Sequence, residues 1–272
     1  MITQNLHMHS TWDDGSCTAE EMILASRAAG LTSVGLSVHC PMPLENTWQC
    51  PMERLGDYIA EMRMLKEKYA GCIDVYLGVE WDTTAQELDL SVFDYVIGSV
   101  HEIPVFGGGT RSVDANPQAT QAYLQDCFGG DADAAAEADF GELAKVAQKP
   151  EAAIVGHFDL LTKFDETYHF FDENSLRYRA AAQKAMEGLV KAGKIFEVNT
   201  GAISRGYRTT PYPSVQWLSL LREMGGRVTV SADAHHVSGV VCAFDLAQKL
   251  IKDADFAEIW VLQGGEFMPI QI

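Results

Sequence analysis

Short apolar runs alternate with amphipathic helical patterns along the chain. Seven runs have strand length and an apolar, β-branched character, the first being the weakest: Ile2–Leu6, Thr32–Val38, Ile73–Glu80, Phe93–Val100, Ala153–Gly156, Lys194–Asn199 and Arg227–Ala232. Helical patterns fall between and after them, at 18–29, 51–70, 117–128, 134–148, 173–192, Pro213–Met224 and Val240–Lys252. This alternation predicts a parallel sheet with helices outside it.

The number of repeats favours one closed α/β barrel over residues 1–272, with an open doubly wound sheet as the alternative. The apolar segment 259–262 is predicted either to cover a barrel end or to add a strand. The two most irregular stretches, 102–116 and 200–212, both follow strands. Barrel enzymes carry their substrate-binding loops at such positions.

Composition and charge restrict the classes of function. Of the 272 residues, 47% are hydrophobic and 21% are charged, a normal globular balance. The 20 basic and 38 acidic residues give a net charge of −18, which disfavours nucleic acid and anionic membranes as large partners but leaves a small phosphorylated substrate possible. There is no signal-peptide pattern, no membrane-length apolar run and no CxxC pair among six cysteines, so a cytoplasmic protein is expected.

Six of the eight histidines end or follow predicted strands: His7, His9, His39, His101, His157 and His235. Glu80 ends another strand, and Asp233 follows the last one. In a parallel barrel all these strand ends meet at one mouth, where so many polar groups would be costly without an ion to coordinate. Imidazole and carboxylate groups together suit zinc, iron or manganese, so a metal site is predicted. The chain has no G-x-S-x-G and no P-loop, which disfavours a nucleophilic serine and a P-loop nucleotide site.

The residues around these strand ends resemble the polymerase and histidinol phosphatase (PHP) superfamily. The matching positions run the length of the chain in family order: His7-Met-His9-Ser10 with Asp14-Gly15, His39, Glu80, Gly98-Ser-Val-His101, Gly156-His157 and Asp233-Ala-His235. Further segments resemble the histidinol-phosphatase branch: Asp94–His101, Ile154–Leu161, Glu197–Thr200 and Pro211–Ser214.

The resemblance implies a distorted (β/α)7 barrel, similar to a TIM barrel, with metal ions at its C-terminal mouth. It implies three ligand sets, with two to three divalent ions (Zn, Mn or Fe): His7, His9, Glu80 and Asp233 for the first; Glu80, His101 and His157 for the second; Asp14, His39 and His235 for the third. Asp13 is an alternative to Asp14 as the ligand. Val38 stands where many members have an aspartate, which predicts weaker carboxylate support for His39.

The implied activity is metal-dependent hydrolysis of L-histidinol phosphate to L-histidinol and phosphate, as in histidine biosynthesis. A hydroxide bridging two ions would be the nucleophile, with Glu80 and Asp233 at the catalytic centre. His236 would either support a metal ligand from behind or donate to the leaving alkoxide. The alternatives are a related phosphatase or phosphodiesterase acting on nucleotides or other small phosphates, and a non-catalytic metal-binding module.

Substrate contacts are expected from the loops at the mouth. Arg205 and Arg208 follow the sixth strand, and a guanidinium binds phosphate in a bidentate manner; Arg111 is a weaker candidate. Glu102 and Asp159 are considered for the substrate amine, although a solvated charge or a supporting role is the preferred interpretation of both. Tyr207 and Tyr212 could face the imidazole ring but are expected simply to pack, and His169 is expected to have no function.

Overall fold

The computed structural model describes residues 2–43 and 47–272. Its strands, in chain order, are β1 (Gln4–Asn5), β2 (Ser33–His39), β3 (Asp74–Asp82), β4 (Tyr95–Ser99), β5 (Glu102–Pro104), β6 (Thr110–Ser112), β7 (Ala152–Val155), β8 (Ile195–Asn199), β9 (Arg227–Ser231), β10 (Glu258–Gln263) and β11 (Glu266–Gln271). Seven of them form one parallel sheet in the order β1-β2-β3-β4-β7-β8-β9. These are the seven strands that the sequence predicts.

The two edges of this sheet approach each other and nearly close a barrel. Met8, just after β1, forms a parallel bridge with Ala234, just after β9. The backbone N–H of His9 donates to the carbonyl of Ala234 at 2.9 Å, and the Asn5 side chain donates to the carbonyl of Val240 at 2.9 Å. The predicted barrel is therefore confirmed, and the open doubly wound sheet is excluded.

Helices connect the strands and cover the outside of the barrel. They are α1 (Ala19–Ala28), α2 (Met52–Lys68), α3 (Pro117–Phe128), α4 (Ala132–Leu143), α5 (Asp165–Tyr168), α6 (Leu176–Lys191), α7 (Gly201–Ser204), α8 (Val215–Glu223) and α9 (Phe244–Asp253). Thr18 and Glu21 form a reciprocal capping box at the start of α1, which satisfies amide groups that the helix itself leaves unpaired. No helix within the described ranges is both long and apolar enough to cross a membrane.

The barrel interior is filled by large side chains opposite glycines. Tyr95 on β4 lies against Gly35 on β2 and Gly78 on β3, where any Cβ atom would overlap the tyrosine ring. The Tyr95 hydroxyl donates to the carbonyl of Leu6. These two glycines are required by close packing, because the ring occupies the space that a side chain would need.

The C-terminal hairpin β10–β11 covers the barrel end opposite the strand C-termini. Gln4 and Leu262 exchange two hydrogen bonds of 2.8 Å between the Gln4 side chain and the Leu262 backbone. Leu262 and Phe267 pack with Leu6 and other apolar residues of the barrel interior. Of the two alternatives predicted for segment 259–262, the first is found: it covers a barrel end, and its strand pairs with β11 and not with the barrel.

Two stretches expected to be irregular contain regular structure. Residues 102–112 form an antiparallel hairpin, with Glu102 opposite Ser112, and α7 forms one turn within 200–212. Three successive glycines, Gly107 to Gly109, turn the hairpin with positive φ angles, which glycine adopts without steric cost. The hairpin holds the chain after β4 at the mouth of the barrel.

Candidate metal centre

The strand ends carry the predicted polar residues to a single cluster at the barrel mouth. Eight of the nine residues come directly from the ends of the barrel strands: His7, His9, His39, Glu80, His101, His157, Asp233 and His235. Asp14 joins them from the turn that precedes α1. His7, His9 and Glu80 are essentially inaccessible to solvent. The cluster is therefore built into the end of the barrel and not placed on its surface.

Glu80 lies at the centre of the cluster. Its Oε1 atom is 2.9 Å from His157 Nε2, and its Oε2 atom is 2.9 Å from His39 Nδ1 and 3.1 Å from His7 Nε2. His101 Nε2 is 3.5 Å from Oε1. One carboxylate thus contacts imidazoles from four different strands, which is the position expected of a group shared between two ions.

Three overlapping groups of potential ligand atoms occur in the described part of the chain: His7, His9 and Asp233; His39, Glu80 and His101; and His9, Asp14, His39 and His235. Within each group the ligand atoms lie within 4.8 Å of one another. The grouping resembles the predicted ligand sets, but His39 joins Glu80 and His101, and His9 joins the group of Asp14. His157 remains in contact with Glu80.

The chemistry of these atoms fits a metal ion. Four buried atoms of the cluster make no hydrogen bond of normal geometry within residues 2–43 and 47–272, although three of them lie close to one another: His7 Nε2, His9 Nε2, His39 Nδ1 and Glu80 Oε2. Buried polar atoms are nearly always satisfied in folded proteins, so four that converge are suited to hold a cation. Nitrogen and carboxylate ligands at this density suit zinc and other divalent transition metals.

The electrostatics of the cluster also favour a cation. Burial by itself lowers the pKa of His9, but the neighbouring Asp13 outweighs it and raises that pKa to about 10. Burial is likewise outweighed at His101, where Glu80 and Asp82 raise the pKa to about 9. At Glu80 burial works to raise the pKa, but the surrounding imidazoles hold it well below its usual range. Without metal ions, the carboxylates therefore retain protons on the imidazoles.

Metal binding should consequently release protons. At about pH 7.5, His9 and His101 are protonated because this pH lies below their pKa values of about 10 and about 9, and both must lose the proton to bind an ion. We expect zinc binding to chelator-treated protein to release two or more protons per chain and to tighten as the pH rises from about 6 to about 9. Calorimetric titrations in two buffers with different ionisation enthalpies measure this number. Binding without proton release would contradict the arrangement.

Carboxylates behind the cluster orient its imidazoles. Asp13 Oδ2 is 2.6 Å from His9 Nδ1 and accepts a hydrogen bond from the backbone of His39 at 3.0 Å. Glu197 Oε2 is 2.9 Å from His7 Nδ1, and its Oε1 accepts from the backbone of His157. Such partners fix the ring orientation and the tautomer of a metal-binding histidine.

The geometry distinguishes Asp13 from Asp14. Asp14 Oδ1 lies 3.2 Å from His235 Nε2 and 3.7 Å from His39 Nε2, inside a ligand group, whereas Asp13 supports His9 from behind. Asp13 also contacts the His39 backbone, so it supplies a carboxylate near His39 although Val38 does not. Sequence reasoning assigned no role to Glu197; its position on β8, within a segment that resembles the family, was the available signal.

A cavity of about 320 Å³ opens above the cluster. Its lining includes residues of the cluster and also side chains that the sequence does not single out: Trp48, Ser112, Asp114, Ala115, Leu160 and Lys163. The Trp48 ring packs edge-to-face on His39 at a centroid distance of 4.9 Å and lies 5.5 Å from His101. The ligand cluster thus forms one wall of a pocket that combines apolar and charged groups.

Arg205 is the predicted substrate-binding arginine that lines this cavity. Its Nη2 atom donates to Asp233 Oδ2 at 3.0 Å, and its Nη1 atom lies 2.9 Å from His235 Nδ1. Its Nε atom is buried and has no partner in the described ranges. The guanidinium therefore borders both the ligand cluster and the space above it.

Three other predicted site residues lie outside the cavity lining. Arg208 is buried, donates to Thr162 and Ser214, and packs over the Tyr212 ring at 4.7 Å, so it is a structural residue in this fold. Arg111 is exposed on β6 and bonds to the carbonyl of Thr110. His236 is exposed and bonds to Ser238 at the start of a 3-10 turn. The backbone of the loops at the barrel mouth directs these side chains away from the cavity, and the sequence pattern does not reveal that direction.

Of the remaining candidates for substrate contact, one lines the cavity and the others lie outside its lining. Asp159 is buried, and its Oδ2 atom accepts from the backbone of Ser214 at 2.9 Å, away from the cavity lining. Glu102 is half-buried at the base of the β5–β6 hairpin. Tyr207 lines the cavity, whereas Tyr212 is fully buried beside Arg208. His169 adopts a left-handed conformation after α5, apart from the cluster.

The same site region is recognised by sequence comparison. The model of the PHP domain matches residues 5–201, which include seven of the nine predicted ligand residues: His7, His9, Asp14, His39, Glu80, His101 and His157. Asp233 and His235 follow the matched range.

The chain belongs to the PHP family.

Named relatives of this PHP protein share most of its length. A protein of Schizosaccharomyces pombe named "Probable histidinol-phosphatase" is 27% identical over 219 residues, which cover 77% of this chain and 69% of that protein. A protein of Deinococcus radiodurans with the same name is 28% identical over 249 residues, 87% of each chain. The crystal structure of histidinol phosphate phosphatase from Lactococcus lactis, complexed with zinc, L-histidinol and phosphate, has the same fold, with a TM-score of 0.74, 21% identity and 98% of both chains covered.

Proposed function

We propose that this PHP protein is a metal-dependent phosphomonoesterase that hydrolyses L-histidinol phosphate to L-histidinol and phosphate. The observation that carries the proposal is the cluster of buried imidazole and carboxylate groups, several of whose atoms make no hydrogen bond of normal geometry among the described residues. It lies at the floor of a cavity that also contains Arg205 and Lys163. Metal ligands next to cationic side chains suit a phosphate ester. The names of the two curated relatives and the ligands of the Lactococcus lactis structure support the choice of substrate.

The three ligand groups support two to three divalent ions, with zinc, manganese or iron as the candidates. Glu80 would be shared between two of them, because both of its oxygens contact imidazoles of different strands. When bound, such ions supply Lewis-acid chemistry, polarising the phosphoryl group and lowering the pKa of water.

The side chains around the cluster have separate tasks in this proposal. Asp13 and Glu197 hold the imidazoles of His9 and His7 in fixed orientations. Arg205 donates to a phosphoryl oxygen and stabilises the charge that develops during hydrolysis. Trp48 covers the rings of His39 and His101, so it limits access of bulk water to them.

Residues 1–272 would form one metal-dependent phosphatase domain that acts in the cytoplasm on a small phosphorylated substrate. All six cysteines are free, which is consistent with a reducing compartment. The net charge of −18 supports a small substrate over a nucleic acid, because a polyanion would be repelled at long range.

A phosphate-release assay on a panel of phosphomonoesters tests the function. We expect metal-loaded protein to give its highest kcat/KM with L-histidinol phosphate, and chelator-treated protein to lose turnover until metal is restored. Higher kcat/KM with a nucleotide would indicate the related phosphatase activity instead. A metal-loaded, folded protein that releases no phosphate from any ester would indicate a non-catalytic metal-binding module.

A further inference from the structure

An ion pair lies in the cavity beside the ligand cluster. Lys163 Nζ donates to Asp114 Oδ2 at 2.9 Å and to the Asp114 backbone carbonyl at 3.0 Å. The two side chains are only 13% and 14% exposed, and both line the cavity. Neither residue belongs to the three groups of potential metal ligands. The pair is therefore part of the pocket without being part of the metal site.

Stability alone is a weak explanation for this ion pair. Withdrawing two charges from water costs free energy that their attraction often fails to return, so a buried ion pair is weak evidence of a role in stability. Lys163 is held further by the rings of Phe164 and Tyr207, with Nζ 5.5 Å and 5.2 Å from their centroids. This environment fixes Lys163, and through it Asp114, in one place.

Asp114 retains one carboxylate oxygen for a ligand. Oδ2 accepts from Lys163, whereas Oδ1 accepts no hydrogen bond from any residue in the described ranges. The other acidic side chains in the lining, Asp14 and Asp233, belong to the ligand groups. Asp114 is thus the carboxylate of this cavity that is available to a cationic group of the substrate.

We propose that Asp114 determines specificity by accepting the ammonium group of phosphate esters that carry an amine on the carbon next to the ester carbon. The inference rests on the proposed function, since L-histidinol phosphate has this arrangement. An ammonium in that position lies only a few bonds from the phosphate, so a carboxylate in the same small cavity as the metal cluster can reach it. Lys163 acts as a positioning residue that holds Asp114.

The two acids considered from the sequence are less suitable. Asp159 Oδ2 accepts hydrogen bonds from the backbone and the hydroxyl of Ser214, and Asp159 does not line the cavity. Glu102 is half-buried but also absent from the lining, although it lies on the hairpin that directly precedes Asp114. Glu102 is consequently a matched control for Asp114, because both belong to the segment 102–116.

The test compares two substrates that differ only in the amine: L-histidinol phosphate and 3-(imidazol-4-yl)propyl phosphate. The ratio of their kcat/KM values measures the preference for the amine. We expect Asp114→Asn to reduce this ratio by about ten- to a hundredfold, the range for a lost charge-assisted hydrogen bond, and Glu102→Gln to retain it. Asp114→Ser serves as a second variant if the Asn protein is poorly folded.

Calorimetry of product binding to metal-loaded protein gives the same comparison without turnover. L-Histidinol should bind more tightly than 3-(imidazol-4-yl)propan-1-ol to the parent, and this preference should disappear in Asp114→Asn. Loss of the preference in Glu102→Gln but not in Asp114→Asn overturns the inference, as does a parent with no preference for the amine. Absence of phosphate release with an intact binding preference would instead refute the proposed function alone.

Discussion

Replacing Glu80 with glutamine should lower kcat by more than about 100-fold. Loss of a residue that only supports a metal ligand typically costs about 10- to 100-fold. Both Glu80 oxygens contact imidazoles, at 2.9 Å from His157 and 2.9 Å from His39. The amide removes the negative charge and replaces one acceptor oxygen with a donor that would face those rings. Steady-state kinetics and elemental analysis of dialysed protein measure turnover and retained metal.

The control for this substitution is Glu142→Gln. Glu142 is also buried, but it lies on α4, outside the cavity lining, and pairs with Lys145. We expect this variant to retain kcat and metal, and circular dichroism should show that both variants are folded. A folded Glu80→Gln protein with parental kcat would remove Glu80 from the catalytic centre.

Replacing Arg205 with alanine should lower kcat/KM for phosphomonoesters by about ten- to a hundredfold, since a charge-assisted hydrogen bond is lost. The guanidinium lines the cavity and contacts Asp233 and His235, so it can bridge the substrate and the ligand cluster. Arg205→Lys should restore only part of the loss, because an ammonium lacks the planar fork of donors. Kinetics at saturating metal separate this effect from metal affinity.

Arg208→Ala is the matched comparison. Arg208 is buried, donates hydrogen bonds to Thr162 and Ser214, and does not line the cavity. Its removal should lower the free energy of unfolding by about 1.5–3 kcal/mol, with a smaller change in kcat/KM than Arg205→Ala causes. If both arginine variants and Arg205→Lys keep parental kcat/KM, phosphate recognition does not depend on this loop.

The fold could be predicted because local patterns determine where each strand and helix forms. Apolar β-branched runs and capping signals are properties of neighbouring residues, and the capping box of Thr18 and Glu21 is present as expected. The β5–β6 hairpin was missed because its strands have only three residues each and lack a clear alternating pattern. Short pairing of this kind depends on the turn at Gly107–Gly109 and on the surrounding barrel.

The candidate metal cluster could also be predicted, for a topological reason. A parallel barrel brings all strand C-termini to one end, so residues as distant as His7 and Asp233 need only occupy strand ends to meet. The assignment of ligands to individual ions is harder to predict from the sequence, because it depends on side-chain rotamers. His39, for example, faces both Glu80 and Asp14 through its two ring nitrogens.

The substrate side of the site was decided by tertiary structure. The sequence by itself determined the barrel, the strand-end cluster and the presence of arginines in the loop after β8. It did not distinguish Arg205, which lines the cavity, from Arg208, which is buried three residues later. Nor did it indicate that Asp114 and Lys163, 49 positions apart, form a pair beside the cluster. Loop residues have no fixed periodicity, so the direction of each side chain follows only from the packing of the loops against one another.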